Sequence, residues 1–243
     1  MIGIGTLINV ATVLTGGLIG LFLKKGISKT MENSLMKALG ISTMFIGLSG
    51  ALAGMLAVNG NSLDTKGTFL MIISIVLGTF SGELLKIEEG LEKLGEWLKG
   101  LTRDKGDSNF VEGFVTETVV ICVGAMAIVG SLEDGLSGDY SVLLAKSILD
   151  GVISIIFAST LGIGALFSVI PLFLYQGGIT VFAKFIEPFL NATGVVPDLS
   201  YIGSVLIFAI GINLFFGKKI KCANMLPALL VPVIYKTFLF LVG

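Results

Sequence analysis

Long apolar runs separated by short polar stretches make up most of this 243-residue chain. A helix needs roughly 20 apolar residues to cross a bilayer core about 30 Å thick, and it satisfies its own backbone polar groups there. The runs predict spans at residues 4–23, 38–58, 68–85, 114–132, 142–162, 164–183, 201–217 and 225–242. We therefore expect an all-α, polytopic transmembrane helical bundle of about eight spans, which forms a single transmembrane domain over residues 1–243.

The fifth and sixth predicted spans share one apolar stretch, from Val142 to Phe182, interrupted only at Leu161-Gly-Ile-Gly-Ala165. Two full spans and a re-entrant pair both fit this pattern. An odd number of crossings would move the last basic loop to the opposite side of the membrane, so the charge distribution favours two crossings or none.

Basic residues alternate from loop to loop, and this orients the chain because cytoplasmic loops collect lysine and arginine. One set of loops carries Lys24, Lys25, Lys29, Lys37, Lys86, Lys93, Lys99, Arg103, Lys105, Lys218, Lys219 and Lys221. The loops on the other face carry Asp64, Glu133, Asp134, Asp139, Glu187 and Asp198, and their only bases are Lys66 and Lys184. We therefore expect both termini outside. The first apolar run has no basic leader or cleavage site, so it should be retained as a span.

The basic loop after the third span contains a segment with helical periodicity, at about residues 87–101. Its apolar face carries Ile87, Leu91, Leu94, Leu98 and Leu101, with Trp97 beside it and glutamates on other faces. This cytoplasmic amphipathic segment is either an interfacial helix or an extension of the third span that packs on the protein. In both cases its leucines should be covered by lipid headgroups or by protein.

Composition narrows the class of protein. Hydrophobic residues make up 54% of the chain and charged residues only 14%, too few to cover a soluble globule. The net charge of −1 argues against a nucleic-acid partner. Histidine is absent, which excludes histidine-based catalysis, and Cys122 and Cys222 lack a metal or redox spacing. We expect no cofactor, no metal site and no catalytic residue.

Similar span endings suggest an internal repeat. The first span ends Gly20-Leu-Phe-Leu-Lys24, the third Gly82-Glu-Leu-Leu-Lys86 and the seventh Leu214-Phe-Phe-Gly217-Lys218. In the charge-derived orientation these endings would belong to parallel helical-hairpin repeats. The alternative is that any helix leaving a membrane ends in apolar residues and lysine.

The opening sequence carries a family resemblance. Gly5-Thr-Leu-Ile-Asn-Val-Ala-Thr12, the following Gly16-Gly-Leu-Ile-Gly20 and the glycine-rich hairpin layout resemble the bacterial YdfK/YqgA-type membrane proteins, domain of unknown function 554. The resemblance covers most of the chain. It implies an inner-membrane protein without assigned chemistry, so no site residue carries over from it.

Charged side chains at membrane depth cost about 2.5 to 3.5 kcal/mol on insertion scales, so each is a candidate functional residue. Glu83 and Glu117 are predicted near the cytoplasmic ends of consecutive spans, where paired carboxylates could bind a cation or share a proton. The alternative is that each reaches the interface or caps a neighbouring helix. Lys146 and Asp150 stand four residues apart on one helical face. They form either a gate or proton-coupled element, or a structural bridge near the outer surface.

Uncharged polar residues within the spans add further candidates for a transport or ion site, namely Asn9, Gln176 and Asn213. The stretch from Pro171 to Gly178 contains a proline and a double glycine. These residues either interrupt the sixth span beside a cavity, as in many transporters, or leave a kink that neighbouring helices fill.

Three classes of function fit these features. The leading hypothesis is a transporter or channel for an ion or small solute, with the lipid bilayer as its surroundings and a homo-oligomer as a further expectation. A structural or partner-binding membrane subunit is the alternative, motivated by the amphipathic segment. An intramembrane enzyme fits less well, because the chain lacks histidine and the GxSxG, HExxH and phosphate-loop signatures.

The charge pattern predicts that Lys29, Arg103 and Lys219 face the cytoplasm, whereas Asp64 and Asp139 face outward. Single cysteines placed at these positions, in a background lacking Cys122 and Cys222, can be labelled with a membrane-impermeant thiol reagent in intact cells. Only the two aspartate positions should react. If position 103 is labelled from outside, the predicted orientation is wrong.

Overall fold

The computed structural model describes residues 2–24, 28–60, 62–101, 109–122 and 125–242, and only the backbone of residues 29, 32, 125 and 242. These residues are almost entirely helical, which confirms the predicted all-α fold. The α-helices are α1 (Ile4–Lys24), α2 (Lys29–Met55), α3 (Thr68–Leu85), α4 (Ile87–Leu101), α5 (Phe110–Cys122), α6 (Ala125–Ser137), α7 (Ser141–Leu161), α8 (Val169–Val181), α9 (Ala183–Thr193), α10 (Val196–Phe216) and α11 (Leu230–Val242). Two 3-10 helices, η1 (Ile163–Ser168) and η2 (Cys222–Leu229), precede α8 and α11.

Seven helical segments within the described residues are long and apolar enough to cross a membrane. They are Ile4–Lys24, Asn33–Met55, Thr68–Leu85, Ser141–Leu161, Ile163–Val181, Val196–Phe216 and Cys222–Leu241. A bent pair formed by α5 and α6 would make an eighth span. The polytopic helical bundle predicted from hydropathy is therefore confirmed.

Two predicted spans differ from the structure in their shape. The second was expected to remain helical to residue 58, but α2 ends at Met55 and the chain enters an antiparallel hairpin of β1 (Leu56–Asn59) and β2 (Ser62–Thr65). The reason is local, because Gly60 at φ 60° suits a two-residue hairpin turn. The fourth was expected to be one helix, but α5 and α6 are bent by 62° relative to one another.

The chain divides into two compact units. The first consists of residues 1–38, 89–122 and 126–187, and in it α1 lies along α7 at close range. A side chain on Gly16 would overlap the carbonyl oxygen of Gly151, and one on Gly20 would overlap that of Ile155. Small residues of this kind let two helix backbones approach closely in lipid, where close packing replaces the hydrophobic effect.

The second unit consists of residues 39–88, 123–125 and 188–243. Gly47 of α2 packs on the backbone of Phe208 in α10, and Gly82 of α3 packs on the backbone of Asn224 in η2. Glu88, near the start of α4, connects this part of the unit to the segment between Lys218 and Ala223. Its buried carboxylate pairs with Lys218 at 2.8 Å and accepts a hydrogen bond from the Ala223 N–H at 3.2 Å.

One local arrangement occurs in both units. A 21-residue helix ends at a glycine with positive φ, a 3-10 helix follows, and a 13-residue α-helix continues the chain. The glycines are Gly162 at φ 87° and Gly217 at φ 79°, a backbone conformation that glycine adopts without strain. This arrangement differs from the hairpin repeat predicted from the span endings, which stays a prediction.

The amphipathic segment forms α4, whose bounds match the predicted residues 87–101. Leu98 is buried against Phe110 and Phe114, so part of the apolar face is covered by the protein itself. Leu94 and Leu101 are exposed in the single chain, as is Trp97.

The cytoplasmic position of α4 stays a prediction. Lys25, Arg103 and Lys105, on which the orientation partly depends, lie outside the described residues.

The packing of α1 on α7 predicts a large effect of one added methyl group. Gly16→Ala should lower the stability of the purified protein by about 1 to 3 kcal/mol, because its Cβ meets backbone rather than a flexible side chain. Gly177→Ala in α8 is the matched control, since nothing lies within 4 Å of the added Cβ. Thermal unfolding in detergent compares the two variants. Equal melting temperatures would contradict the close approach of α1 and α7.

Candidate functional site

Three polar side chains lie on one buried face of α7. Lys146, Asp150 and Ser154 follow one another at intervals of four residues, which places them in a row along the helix. Asp150 is the tenth of 21 residues in a helix about 31 Å long, at a rise of 1.5 Å per residue. The row therefore lies around the midpoint of a membrane span.

Lys146 and Asp150 form an ion pair inside the first unit. The Lys146 ammonium also donates a hydrogen bond to the backbone carbonyl of Ile121, at 2.7 Å. Both side chains are buried, so the pair has little contact with lipid or water. Burial of such a pair is tolerated because the two charges neutralise one another.

Two amides from other helices complete the surroundings of Asp150. The Asn9 Nδ2 of α1 donates to the Asp150 carboxylate at 2.9 Å and to the Gln176 Oε1 of α8 at 3.2 Å. Both amides are fully buried. Four of the seven residues singled out from the sequence thus come together, from three helices.

Glu117 extends this group from α5. Its carboxyl accepts a hydrogen bond from the Ser154 hydroxyl and is fully buried. The Asp150 carboxylate acts on it electrostatically, and the Ser168 hydroxyl of η1 lies beside it without hydrogen-bond geometry. We call the residues Asn9, Glu117, Lys146, Asp150, Ser154 and Gln176 the polar cluster.

A further set of polar groups joins α1 to α8 and α6. The hydroxyls of Thr6 and Thr180 are 3.4 Å apart, one helical turn from Asn9 and Gln176. Asp134 accepts hydrogen bonds from the N–H groups of Gly3 and Gly5, each at 3.1 Å. Asp134 was expected in an external loop but is a fully buried residue of α6, because its carboxylate caps the start of α1.

Several buried atoms of the polar cluster have no hydrogen-bond partner among the described residues. They are Asn9 Oδ1, Glu117 Oε2 and Gln176 Nε2, and the Ser168 hydroxyl beside the cluster is a fourth. An unpaired buried polar group costs about 1 to 3 kcal/mol. Groups retained at such a cost in a membrane interior are candidates for binding a ligand.

Glu83 and Asn213 lie in the second unit and have other partners. The Glu83 carboxylate is half-exposed and pairs with Lys221 at 3.1 Å, which fits the alternative of an interfacial residue. Asn213 organises the turn after α10, since its Nδ2 donates to the Ile220 carbonyl at 2.7 Å and its Oδ1 accepts from the backbone. The proposed pairing of Glu83 with Glu117 stays a prediction.

Of the two alternatives for the stretch from Pro171 to Gly178, the interrupted span is not observed, because α8 runs through this stretch. Pro171 lies in the first turn of α8, where its missing N–H costs no helical hydrogen bond. The break in the chain occurs earlier, at Gly162 and η1.

Two groups of the site, the Ser154 hydroxyl and the Ile121 carbonyl, were not predicted from the sequence. Ser154 gave a usable signal, as it continues the four-residue spacing of Lys146 and Asp150. The carbonyl of Ile121 gave none, because any residue type supplies a backbone carbonyl and only the end of α5 makes this one available.

Membrane-spanning helices around a buried, partly unsatisfied polar cluster define a polytopic α-helical membrane protein with a candidate solute or ion site. The chain belongs to the family described as Protein of unknown function (DUF554), whose family model matches residues 4–237. This confirms the resemblance seen in the opening sequence.

Two curated bacterial relatives match nearly the whole chain. It is 33% identical over 228 residues to the uncharacterized membrane protein YdfK of Bacillus subtilis (strain 168), covering 94% of this chain and 93% of the relative. It is 30% identical over 232 residues to the uncharacterized protein YqgA of Escherichia coli (strain K12), covering 94% of each. No solved structure matches the chain significantly. The protein is thus a bacterial multi-pass membrane protein of this family.

The ion pair predicts non-additive effects of two substitutions. Lys146→Met should destabilise the protein by about 3 to 5 kcal/mol, because it leaves the Asp150 carboxylate buried without its cation. Adding Asp150→Asn should recover most of the lost stability, since the Lys146→Met/Asp150→Asn variant has no unpaired charge at this ion pair. Unfolding of the single and double variants, in a detergent buffer free of alkali cations, measures the coupling. If the stability losses of the two single variants simply add in the double variant, the two side chains do not form an ion pair that contributes to stability.

Proposed function

We propose that this protein is a transporter or channel for an ion or small solute in the bacterial inner membrane, with both termini outside. The observation that supports this most is the polar cluster at the midpoint of α7, which contains two carboxyl groups and one ammonium group. A protein that served only as a membrane anchor would not need such a cluster in its interior.

Charge balance points to the transported species. The Lys146 ammonium neutralises Asp150, which leaves Glu117 as an additional buried carboxyl with one unpaired oxygen. An isolated carboxylate is costly in a membrane interior, and either a proton or a bound cation removes that cost. We therefore propose that a proton or cation route passes Glu117.

The arrangement of polar side chains supplies a path for such a species. Along α7 the row from Lys146 to Ser154 extends over about 12 Å of the membrane thickness, at a rise of about 1.5 Å per residue. Thr6 and Thr180 extend the polar set by one helical turn on α1 and α8. Polar groups at successive depths let an ion exchange partners stepwise instead of entering hydrocarbon.

A second candidate function is a structural or partner-binding subunit, and the exposed apolar residues of α4 favour it. Leu94, Trp97 and Leu101 form an apolar patch on a helix that is otherwise rich in glutamate. Lipid headgroups, another copy of the chain or a different subunit would each cover this patch. Purification with a stoichiometric protein partner would support this second function.

Replacing Glu117 by Gln tests the proposed route. The variant keeps the size of the side chain and a hydrogen bond to Ser154, but it cannot exchange a proton or neutralise a cation. Proton and alkali-cation flux into liposomes that contain the purified protein should fall about tenfold or more, equivalent to about 1.4 kcal/mol of barrier. Thermal unfolding should show a much smaller change.

Glu112→Gln is the matched control, because it makes the same chemical change at an exposed carboxylate of the same helix, α5. We expect its flux to stay close to that of the wild-type protein. If Glu117→Gln folds and its flux matches the wild type across a pH series, the route past Glu117 is wrong. If wild-type liposomes carry no flux above protein-free liposomes for protons or alkali cations, ion transport is also wrong.

A further inference from the structure

The apolar patch on α4 lies on a different face from the one that packs on the protein. Leu98 is buried against the start of α5. Leu94, Trp97 and Leu101 recur at intervals of three and four residues, so they share one helical face. Their side chains are 43%, 61% and 65% exposed. The helix therefore has one face for the protein and a second, apolar face that the described part of the chain leaves uncovered.

One end of α4 is fixed at the end of a membrane span. Since α3 ends at Leu85 and α4 begins at Ile87, only Lys86 separates the two helices. Lys86 has φ 53°, the left-handed conformation in which many helices end. The apolar surface of α3 that faces lipid extends to this point, because Leu84 and Leu85 are exposed. The first turn of α4 is therefore continuous with a surface that already contacts lipid.

The other end of α4 also lies at the end of a span. Leu98 packs on Phe110, whose ring centroid is 5.2 Å from that of Phe167 and whose carbonyl oxygen leaves no room for a side chain at Gly164. Both of these partners belong to the first turns of the span Ile163–Val181. The length of α4, about 22 Å, is too short to connect the two surfaces of a bilayer core about 30 Å thick. Both ends therefore lie at one surface, and α4 runs along it.

The charges of α4 do not favour an electrostatic contact with anionic lipids. The helix contains four glutamates and two lysines, so a negatively charged surface would repel it. An amphipathic helix without that attraction binds lipid through its buried apolar area. Tryptophan is typical of membrane–water interfaces, and Trp97 stands between the two leucines of the patch. This chemistry fits zwitterionic headgroups, with the apolar side chains below them.

We propose that α4 is an interfacial helix whose apolar patch inserts into the lipid bilayer, at the boundary between zwitterionic headgroups and acyl chains. Such helices lie about 5 to 10 Å deep in this boundary. The inference goes beyond the proposed transport function and does not depend on it. It also accounts for the apolar patch without the partner protein that the second candidate function requires.

Trp97 is the only tryptophan of the chain, so its fluorescence reports the position of α4 directly. The purified full-length protein is reconstituted at low density in phosphatidylcholine vesicles whose acyl chains carry bromine, a quencher, either near the headgroup or near the chain end. Vesicles of the same lipid without bromine are the reference, and iodide in the buffer tests contact with water. Bromine near the headgroup should reduce the emission by about half or more, because an interfacial helix lies at this depth. Bromine near the chain end and iodide should each reduce it less.

A tryptophan in the middle of a span calibrates the depth. Val76→Trp in a Trp97→Phe background places the single tryptophan at the ninth of the 18 residues of α3, at a position that is exposed in the single chain. This position lies near the centre of the bilayer, so bromine near the chain end should quench it most strongly.

Polar substitutions within the patch test the apolar contact itself. Leu94→Gln combined with Leu101→Gln should lower the quenching of Trp97 by bromine and raise its quenching by iodide. Glu96→Gln is the matched control, since it changes a neighbouring exposed residue of α4 and leaves the patch intact. It should behave as the wild type does. Adding anionic phosphatidylglycerol to the vesicles should not increase the quenching by bromine, and an increase would overturn the zwitterionic assignment.

The inference is wrong if iodide quenches wild-type Trp97 more strongly than either brominated lipid, as expected for a patch that faces water or binds an absent subunit. It is equally wrong if neither brominated lipid quenches Trp97, and dilution of the protein with lipid then shows whether a second copy covers the patch. Stronger quenching from the chain end would place α4 in the hydrocarbon and overturn it too. These wild-type results decide the matter even where a variant does not fold. None of them changes the flux expected for Glu117→Gln, so the transport proposal stands or fails separately.

Discussion

The low polarity of the membrane interior is the constraint on which this structure depends. A charge placed there must be neutralised and hydrogen-bonded by the protein itself, because lipid tails offer no partners. The ion pair of Lys146 and Asp150 meets this requirement only with help from other helices. The Ile121 carbonyl of α5 and the Asn9 amide of α1 supply the remaining hydrogen bonds. The need to satisfy one ion pair thus joins three helices of the first unit.

Glycine makes that arrangement sterically feasible. Asn9 reaches Asp150 because Gly16 and Gly20 allow α1 to approach the backbone of α7. In water a similar convergence could be driven by burial of apolar side chains, but lipid removes that driving force. Close backbone packing and interhelical hydrogen bonds must therefore act together. The glycines allow the close approach of the helices, and the buried polar residues form hydrogen bonds across that contact.

The two units satisfy their polar groups in different ways. In the second unit Glu88 and Asn224 bond to each other's segments, and Asn213 saturates the turn that follows α10. These contacts hold the helix ends in place, which gives Glu88, Asn224 and Asn213 a structural role. Buried atoms without a hydrogen-bond partner among the described residues occur in both units. In the first unit three of them, on Asn9, Glu117 and Gln176, belong to one cluster that also contains a buried ion pair.

The sequence by itself determined the helical fold, the positions of the spans within about five residues, the amphipathic helix α4 and the spacing of Lys146 and Asp150. Hydropathy and helical periodicity are local properties, so neighbouring residues suffice to predict them. Only the tertiary structure decided that Asn9 meets residues 141 and 167 positions away, that Asp134 caps α1, and that Glu83 pairs with Lys221. These contacts depend on how each helix is rotated and packed. Many rotations bury the same apolar area, and the polar partners that select one of them are far apart in the chain.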